Sequence, residues 1–247
     1  MREDVIKRMR RTSDMNSTMP EKPFFTTLKN RGLIHIEGKD RHDFLQNLIT
    51  NDMNKLTPAN QIYACLLTPQ GKFLHDFFIR MGEDFILLEC EGGERAQDLF
   101  KRLNMYRLRA DVQISVEENV PVYAIFNAPD IGLPDPRHQD IGNRAFEKPD
   151  LLEEPFETWD KKRIELCIPD GSRDLVIGSS TMDEGRMDTL NAIDYKKGCY
   201  IGQELTARMH YRGLGKKHLK CLNIHALPDK AELRSSCGNI GIALVRD

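Results

Sequence analysis

Cys199 is the residue of this chain whose setting suits chemistry best. It lies in the run Lys196-Lys197-Gly198-Cys199-Tyr200-Ile201-Gly202-Gln203-Glu204-Leu205-Thr206-Ala207-Arg208, between two lysines and a polar helix start. Cations and the N–H groups of a helix N-terminus favour a thiolate, so this thiol is expected to be more acidic than a free one. Gln203 and Glu204 suit a first helical turn, and Gly198 and Gly202 allow close backbone approach. A buried, inert cysteine at a loop-to-helix junction is the alternative that these spacings leave open.

Such a thiol needs a scaffold, and the upstream sequence reads as one. Leu33-Ile34-His35-Ile36 alternates like a strand, Gly38 ends it, and Asp40 reads as a helix N-cap before Phe44, Leu45, Leu48 and Ile49 at helical spacing. Ile62 to Thr68 and Lys72 to Ile79 flank the turn Pro69-Gln70-Gly71, and Phe85 to Cys90 is a further strand. Ala96, Leu99, Phe100 and Leu103 share a helical face, and Val112, Ile114 and Val116 alternate again. The result is a β-α-β-β-β-α-β order and an α+β fold with a sheet covered on one side.

Val120 to Phe126 opens a second block, and the Pro- and Gly-rich segment 127–142 reads as a surface loop. Trp159 to Ile168 reads as a helix or strand entering a core, and Thr181 to Ile193 as helical near its end. Four segments are expected: a disordered basic tail over 1–22, an α+β subdomain over 23–118, a second over 119–208 and a short β domain over 209–247.

Composition narrows the function classes. The 247 residues are 40% hydrophobic and 30% charged with a formal net charge of -2, an ordinary globular profile with no basic field for nucleic acid or membrane. No membrane-spanning run or signal-peptide core is present, so a cytoplasmic protein without membrane contact is expected. The six cysteines form no C-x-x-C pair, so no resident metal is expected. The basic run His210 to His218 holds one aromatic, and direct RNA binding is not expected from it. Nucleotide-loop, Rossmann, zincin and serine-hydrolase motifs are absent.

The Cys199 run, K-G-C-Y-I-G-Q-E-x-x-A-R, resembles the signature of the folate-binding YgfZ family of iron–sulfur cluster assembly factors. Gly38 to Asp52 and the hairpin turn P-Q-G-K-F-L-H-D-F resemble the opening of the same family and of the glycine-cleavage aminomethyltransferases. The resemblance implies an aminomethyltransferase-like folate-binding fold with a C-terminal β-barrel-like domain. The residues after Arg208 are few for a complete barrel.

It further implies tetrahydrofolate or a derivative as cofactor, and iron–sulfur assembly or client proteins as partners. Those clients include cluster enzymes that modify tRNA, so any effect on tRNA is indirect. Arg163-Ile164-Glu165-Leu166-Cys167-Ile168-Pro169 resembles the R-x-E-x-G-x-P segment whose glutamate pairs with the pterin, which makes Glu165 the first candidate for that role. A strand-edge Glu165 paired with Arg163 is the alternative, and Cys167 stands where the family has glycine. Glu184, Lys197, Tyr200, Gln203 and Arg208 complete the expected cofactor-binding set.

Cys199 is expected to act as nucleophile, redox thiol or transient cluster ligand, with Asp76 beside it as the catalytic carboxylate. The glycine-cleavage enzymes carry two adjacent aspartates where this chain has His75-Asp76. That weakens an aminomethyltransferase reading, which stands as the alternative together with a non-enzymatic scaffold.

Overall fold

Phe24–Leu28 (β1) and Arg31–Glu37 (β2) are neighbours in sequence but enter different sheets. The link between them turns at Asn30, whose φ of +58° suits asparagine better than most residues. The computed structural model describes residues 22–247, so the tail expected over 1–22 lies outside the described residues except for Lys22.

β2 is followed by α1 (Arg41–Gln46), β3 (Gln61–Leu67), β4 (Phe73–Met81), β5 (Phe85–Glu91), α2 (Glu94–Arg107) and β6 (Gln113–Glu117). The five strands pair antiparallel in the order β3-β4-β5-β2-β6. This is the β-α-β-β-β-α-β order read from the apolar spacing. Ala64, Leu66, Phe77 and Ile79 face the helices, packing with Leu45, Leu99 and Leu103. Tyr63, Cys65 and Phe78 face the other way, into a core shared with the rest of the chain. Strand alternation thus gives β4 two chemically distinct faces.

β1 crosses the boundary expected at 118/119. It pairs antiparallel with Val122–Phe126 (β7) in a second sheet, completed by Leu133–Pro134 (β8), Asn143–Ala145 (β9) and Leu152–Glu153 (β10), in the order β10-β1-β7-β9-β8. Phe156–Glu165 (α3) buries Trp159, Asp160, Arg163 and Ile164 on one stripe. Cys167 follows with φ +55°, so the left-handed geometry that suits glycine is kept here by a residue with a Cβ.

The helix expected near the end of 181–193 is absent. Thr181 to Ile193 forms successive turns and not a helix, with Arg186 and Asn191 in the left-handed region at φ +50° and +56°. After Gln203–Arg212 (α4), the short C-terminal β domain is present as expected: Lys217–Asn223 (β11), Glu232–Cys237 (β12) and Ile240–Arg246 (β13) form a three-stranded sheet of order β11-β13-β12, short of a complete barrel.

The N-terminus of α4 is seated on the β3–β4 hairpin by two glycines. A Cβ on Gly202 (φ +80°) would lie 2.5 Å from the Thr68 carbonyl oxygen and 2.9 Å from Gly71 Cα. The start of the Cys199-bearing helix therefore rests directly on the hairpin backbone.

His75 faces α2, where its Nε2 lies 2.8 Å from Asp98 Oδ2. Burial, helped by Arg95, pushes the imidazole pKa down to about 4. The unfolded imidazole takes up a proton below about 6.5, whereas the folded one does so only near 4. Acidification through this window should therefore cost stability, up to ~3 kcal/mol. Urea unfolding at pH 7 and pH 4.5 should show the loss, and His75→Gln should flatten it.

Candidate functional site

A cavity of about 470 Å³ opens where the two five-stranded sheets meet α3. Its charged lining comes from elements far apart in sequence: Arg31 on β2, Asp76 on β4, Glu91 on β5, Arg144 on β9, and Asp170 and Arg173 on the turn after α3. Phe78, Phe156 and Trp159 supply aromatic surface. Charges this deep need partners.

Glu89 provides them at the centre. It accepts from Arg31 Nε at 2.8 Å and from Arg144 Nε at 2.9 Å, and it also bonds Arg144 Nη2. Burial would raise its pKa, but Arg144 and Arg31 outweigh that and hold it down to about 2. Asp135 accepts from Arg137 Nε at 3.0 Å and Nη2 at 2.8 Å, and lies 3.5 Å from Arg144 Nη1. The Arg144 and Arg137 guanidinium carbons lie 4.0 and 4.8 Å from the Phe78 ring centroid. This fixes the cavity wall by cation–π as well as ionic contact.

Asp76 is the sequence-predicted residue that lines this cavity. It accepts from the Tyr63 hydroxyl at 2.7 Å, and its residue is only 6% exposed. Burial raises its pKa and Glu91 adds to the rise, while Tyr63 and Arg31 pull it back. A Cβ on Gly171 would lie 2.9 Å from Glu91 Oε2 and 3.0 Å from Asp76 Oδ1, so both carboxylates crowd this turn. Asp170 goes the other way: Arg163, Arg31 and Arg173 outweigh its burial and lower its pKa. Position 75 faces α2 and not the cavity, so the carboxylates that join Asp76 here come from β5 and the 170-turn. The site holds one carboxyl inclined to keep a proton and one inclined to lose it.

Trp159 is 2% exposed, borders the cavity, and has an indole N–H with no hydrogen-bond partner among the described residues. Buried donors are normally satisfied, so an orphan beside a cavity marks a place for an acceptor.

The other expected site residues lie elsewhere. Glu165 sits on the last turn of α3, exposed, 4.0 Å from Lys161 Nζ. The segment is helical and its 156/159/160/163/164 stripe takes the core, which leaves 161 and 165 facing out. Arg163 does not pair with Glu165; it bonds Asp160 and Asp174, each at 2.7 Å. Glu184 accepts from Thr181 N–H at 3.0 Å and Thr181 Oγ1 accepts from Glu184 N–H at 3.2 Å, a reciprocal cap on the turn.

Lys197 points into backbone, not into the cavity. Its ammonium donates to the carbonyls of Gln46, Ile49 and Asn51 at 2.7, 2.7 and 2.8 Å. Burial lowers its pKa to about 8 against the pull of Asp52 and Asp194. Tyr200 is buried in the shared core, and its N–H donates to Gln203 Oε1 at 3.1 Å. Gln203 Nε2 in turn lies 3.6 Å from Cys199 Sγ. Arg208 lines a shallow groove along α4. Cys199 itself is exposed, so it is neither sealed in the core nor at the rim of the cavity, whose lining it does not join. The motif builds a separate, anchored surface thiol.

The chain is 31% identical to the mitochondrial iron–sulfur cluster assembly factor IBA57 homolog of Neurospora crassa, over 78% of this chain and 52% of the relative. It is 30% identical to that of Pyricularia oryzae, over 85% and 60%. Against the human IBA57 protein it is 28% identical, over 88% and 76%.

Its homologues are IBA57 iron–sulfur cluster assembly factors.

The resemblance read from the Cys199 motif therefore holds. The chain spans about half to three-fifths the length of the two fungal IBA57 relatives. All three IBA57 relatives are mitochondrial proteins, which overturns the cytoplasmic expectation. No protein-family profile matches the chain. A glycine-cleavage aminomethyltransferase T of Bartonella henselae shares the fold, with a TM-score of 0.70 at 13% identity over 92% of this chain and 79% of that one. Among the described residues, no helix is long and apolar enough to cross a membrane.

Two substitutions test the site's construction. Glu89→Gln leaves Arg31 and Arg144 buried without their anion and should cost about 3–5 kcal/mol in urea unfolding. Lys197→Met strands three carbonyls and should cost about 2–4 kcal/mol. It should also speed amide hydrogen exchange selectively across 191–200.

Proposed function

We propose that this chain is a mitochondrial iron–sulfur cluster assembly factor that binds a reduced folate in the cavity and works on its cluster cargo through Cys199. The assembly role is supported by the IBA57 relatives and by an exposed, anchored thiol at the centre of the Lys196–Arg208 motif. The observation that carries the ligand reading is the unpartnered Trp159 N–H beside Asp76 in an aromatic, charged cavity.

These residues fit a pterin. Its amino-pyrimidinone edge offers adjacent N–H donors and a carbonyl acceptor. Asp76, held by Tyr63, would accept from the donors, the Trp159 indole would donate, and Phe78 and Phe156 would flank the flat ring. When bound, a reduced folate supplies one-carbon carriage on its nitrogens. The protein's own part is orientation, water exclusion behind the Phe156–Trp159 pair (centroids 5.5 Å apart), and control of the proton at Asp76. The aminomethyltransferase alternative gains nothing from His75, which faces α2 on the opposite side of the sheet.

Calorimetry with tetrahydrofolate tests the cavity. Wild type should bind, Asp76→Asn should bind roughly 10- to 100-fold more weakly, and absence of heat in the folded wild type would defeat the ligand reading. Complementation tests the thiol: in a strain lacking the gene, Cys199→Ala should leave cluster-enzyme activity low, and full restoration by it would remove Cys199 from the mechanism.

A further inference from the structure

We infer that the outward stripe of α4 is a docking surface for an acidic protein partner, which it steers toward Cys199. This rests on the reading of Cys199 as the working thiol and adds the chemistry of what approaches it.

α4 buries only Thr206 among its ten residues. Glu204, Ala207, Arg208, Tyr211 and Arg212 line a shallow groove at i, i+3, i+4, i+7 and i+8 spacing, so one face of the helix lacks a partner among the described residues. Tyr211 is 69% exposed and Leu214 43% exposed. Tyr211 is nonetheless held: it packs edge-on against His210 at 5.1 Å and Tyr195 at 6.0 Å, and those two rings stack at 3.8 Å. A restrained, exposed tyrosine with arginines beside it has the composition of a protein-interface anchor.

Charge selects the occupant. Arg208, Arg212, Lys196 and Lys216 make no ion pair among the described residues, whereas Lys217 and Lys220 are met by Glu232 and Asp247. The unpaired cations lie on and beside the helix whose Gln203 reaches the Cys199 sulfur. An acidic surface drawn to them arrives at the thiol. A nucleic acid fits less well: tight sequence-independent binding sums roughly six to ten phosphate contacts, and Glu204 stands within the stripe.

The test uses the full chain and a glutamate-rich peptide whose single cysteine is activated as a mixed disulfide with thionitrobenzoate. The Cys199 thiolate attacks the peptide sulfur, a protein–peptide disulfide forms, and the released thionitrobenzoate anion reports the rate. A glutamine-rich peptide of equal length is the neutral probe, and Cys199→Ser measures the background of the other cysteines. At low salt the acidic peptide should couple roughly tenfold faster than the neutral one, and the advantage should collapse in high salt. It should also vanish in Arg208→Glu/Arg212→Glu. Equal rates for the two peptides, or an advantage that survives the double charge reversal, would overturn the inference. So would a single-stranded RNA oligonucleotide that blocks the acidic peptide at equal concentration. If the neutral probe reacts no faster with wild type than with Cys199→Ser, the thiol reading itself fails and takes the docking surface with it.

Discussion

Burying arginines between two sheets is the constraint on which the rest of this structure depends. Arg31 belongs to the first sheet and Arg144 to the second, and both are neutralised by one carboxylate, Glu89. A buried guanidinium without its anion is too costly to keep. The two sheets therefore cannot slide relative to each other without exposing or orphaning charge. The cavity is the space this network holds open: Arg144 and Arg137 lie against Phe78, and Asp76 stands on the same face of β4 as Phe78. A purely apolar seam of the same area would pack closed, because nothing would prevent side chains from filling it. Ionic geometry sets where the walls stop.

A second anchor fixes the thiol. Three carbonyls around the end of α1 have no helical donor, and the Lys197 ammonium meets all three. Asp194 Oδ1 accepts from the N–H groups of Lys196 and Lys197 at 2.6 and 3.1 Å, and its other carboxylate oxygen lies 2.7 Å from Lys55 Nζ. The segment leading to Cys199 is thus bolted to residues 46–55. The lysines that seemed placed to tune a thiolate are divided in their duties, and Lys197 spends its charge on backbone.

The first sheet was legible because period-two alternation and a Pro-Gln-Gly turn are local signals. So was the thiol motif, a contiguous run. What stayed hidden was built from distant pieces. Asp135 and Arg137 sit in a proline-rich segment that reads as solvent-exposed loop, yet their carboxylate–guanidinium pair is almost wholly inside. Their spacing, two charges of opposite sign separated by one proline, was the available cue. Arg144 gave none. Glu165 misled because an R-x-E pattern reads alike in a strand and in a helix, and only the helical phase turns the glutamate outward. Trp159 was read as core packing, which is right for its ring and silent about its N–H.

Cavity and thiol share no lining residue among those described, so a direct attack of Cys199 on a ligand seated at Asp76 has no geometric support. The β3–β4 hairpin nonetheless touches both. The Tyr63 hydroxyl donates diagonally across it to Asp76, and Gly71 at its tip lies against Gly202, where α4 begins. The two strands pair antiparallel from Gln61 to Leu67, so the cavity carboxylate and the seat of α4 belong to one hydrogen-bonded unit. A ligand that orders the Tyr63–Asp76 pair acts on the same hairpin that seats the thiol-bearing helix. Pocket and thiol-bearing helix thus rest on one strand pair, while Cys199 itself stays exposed on the outer surface.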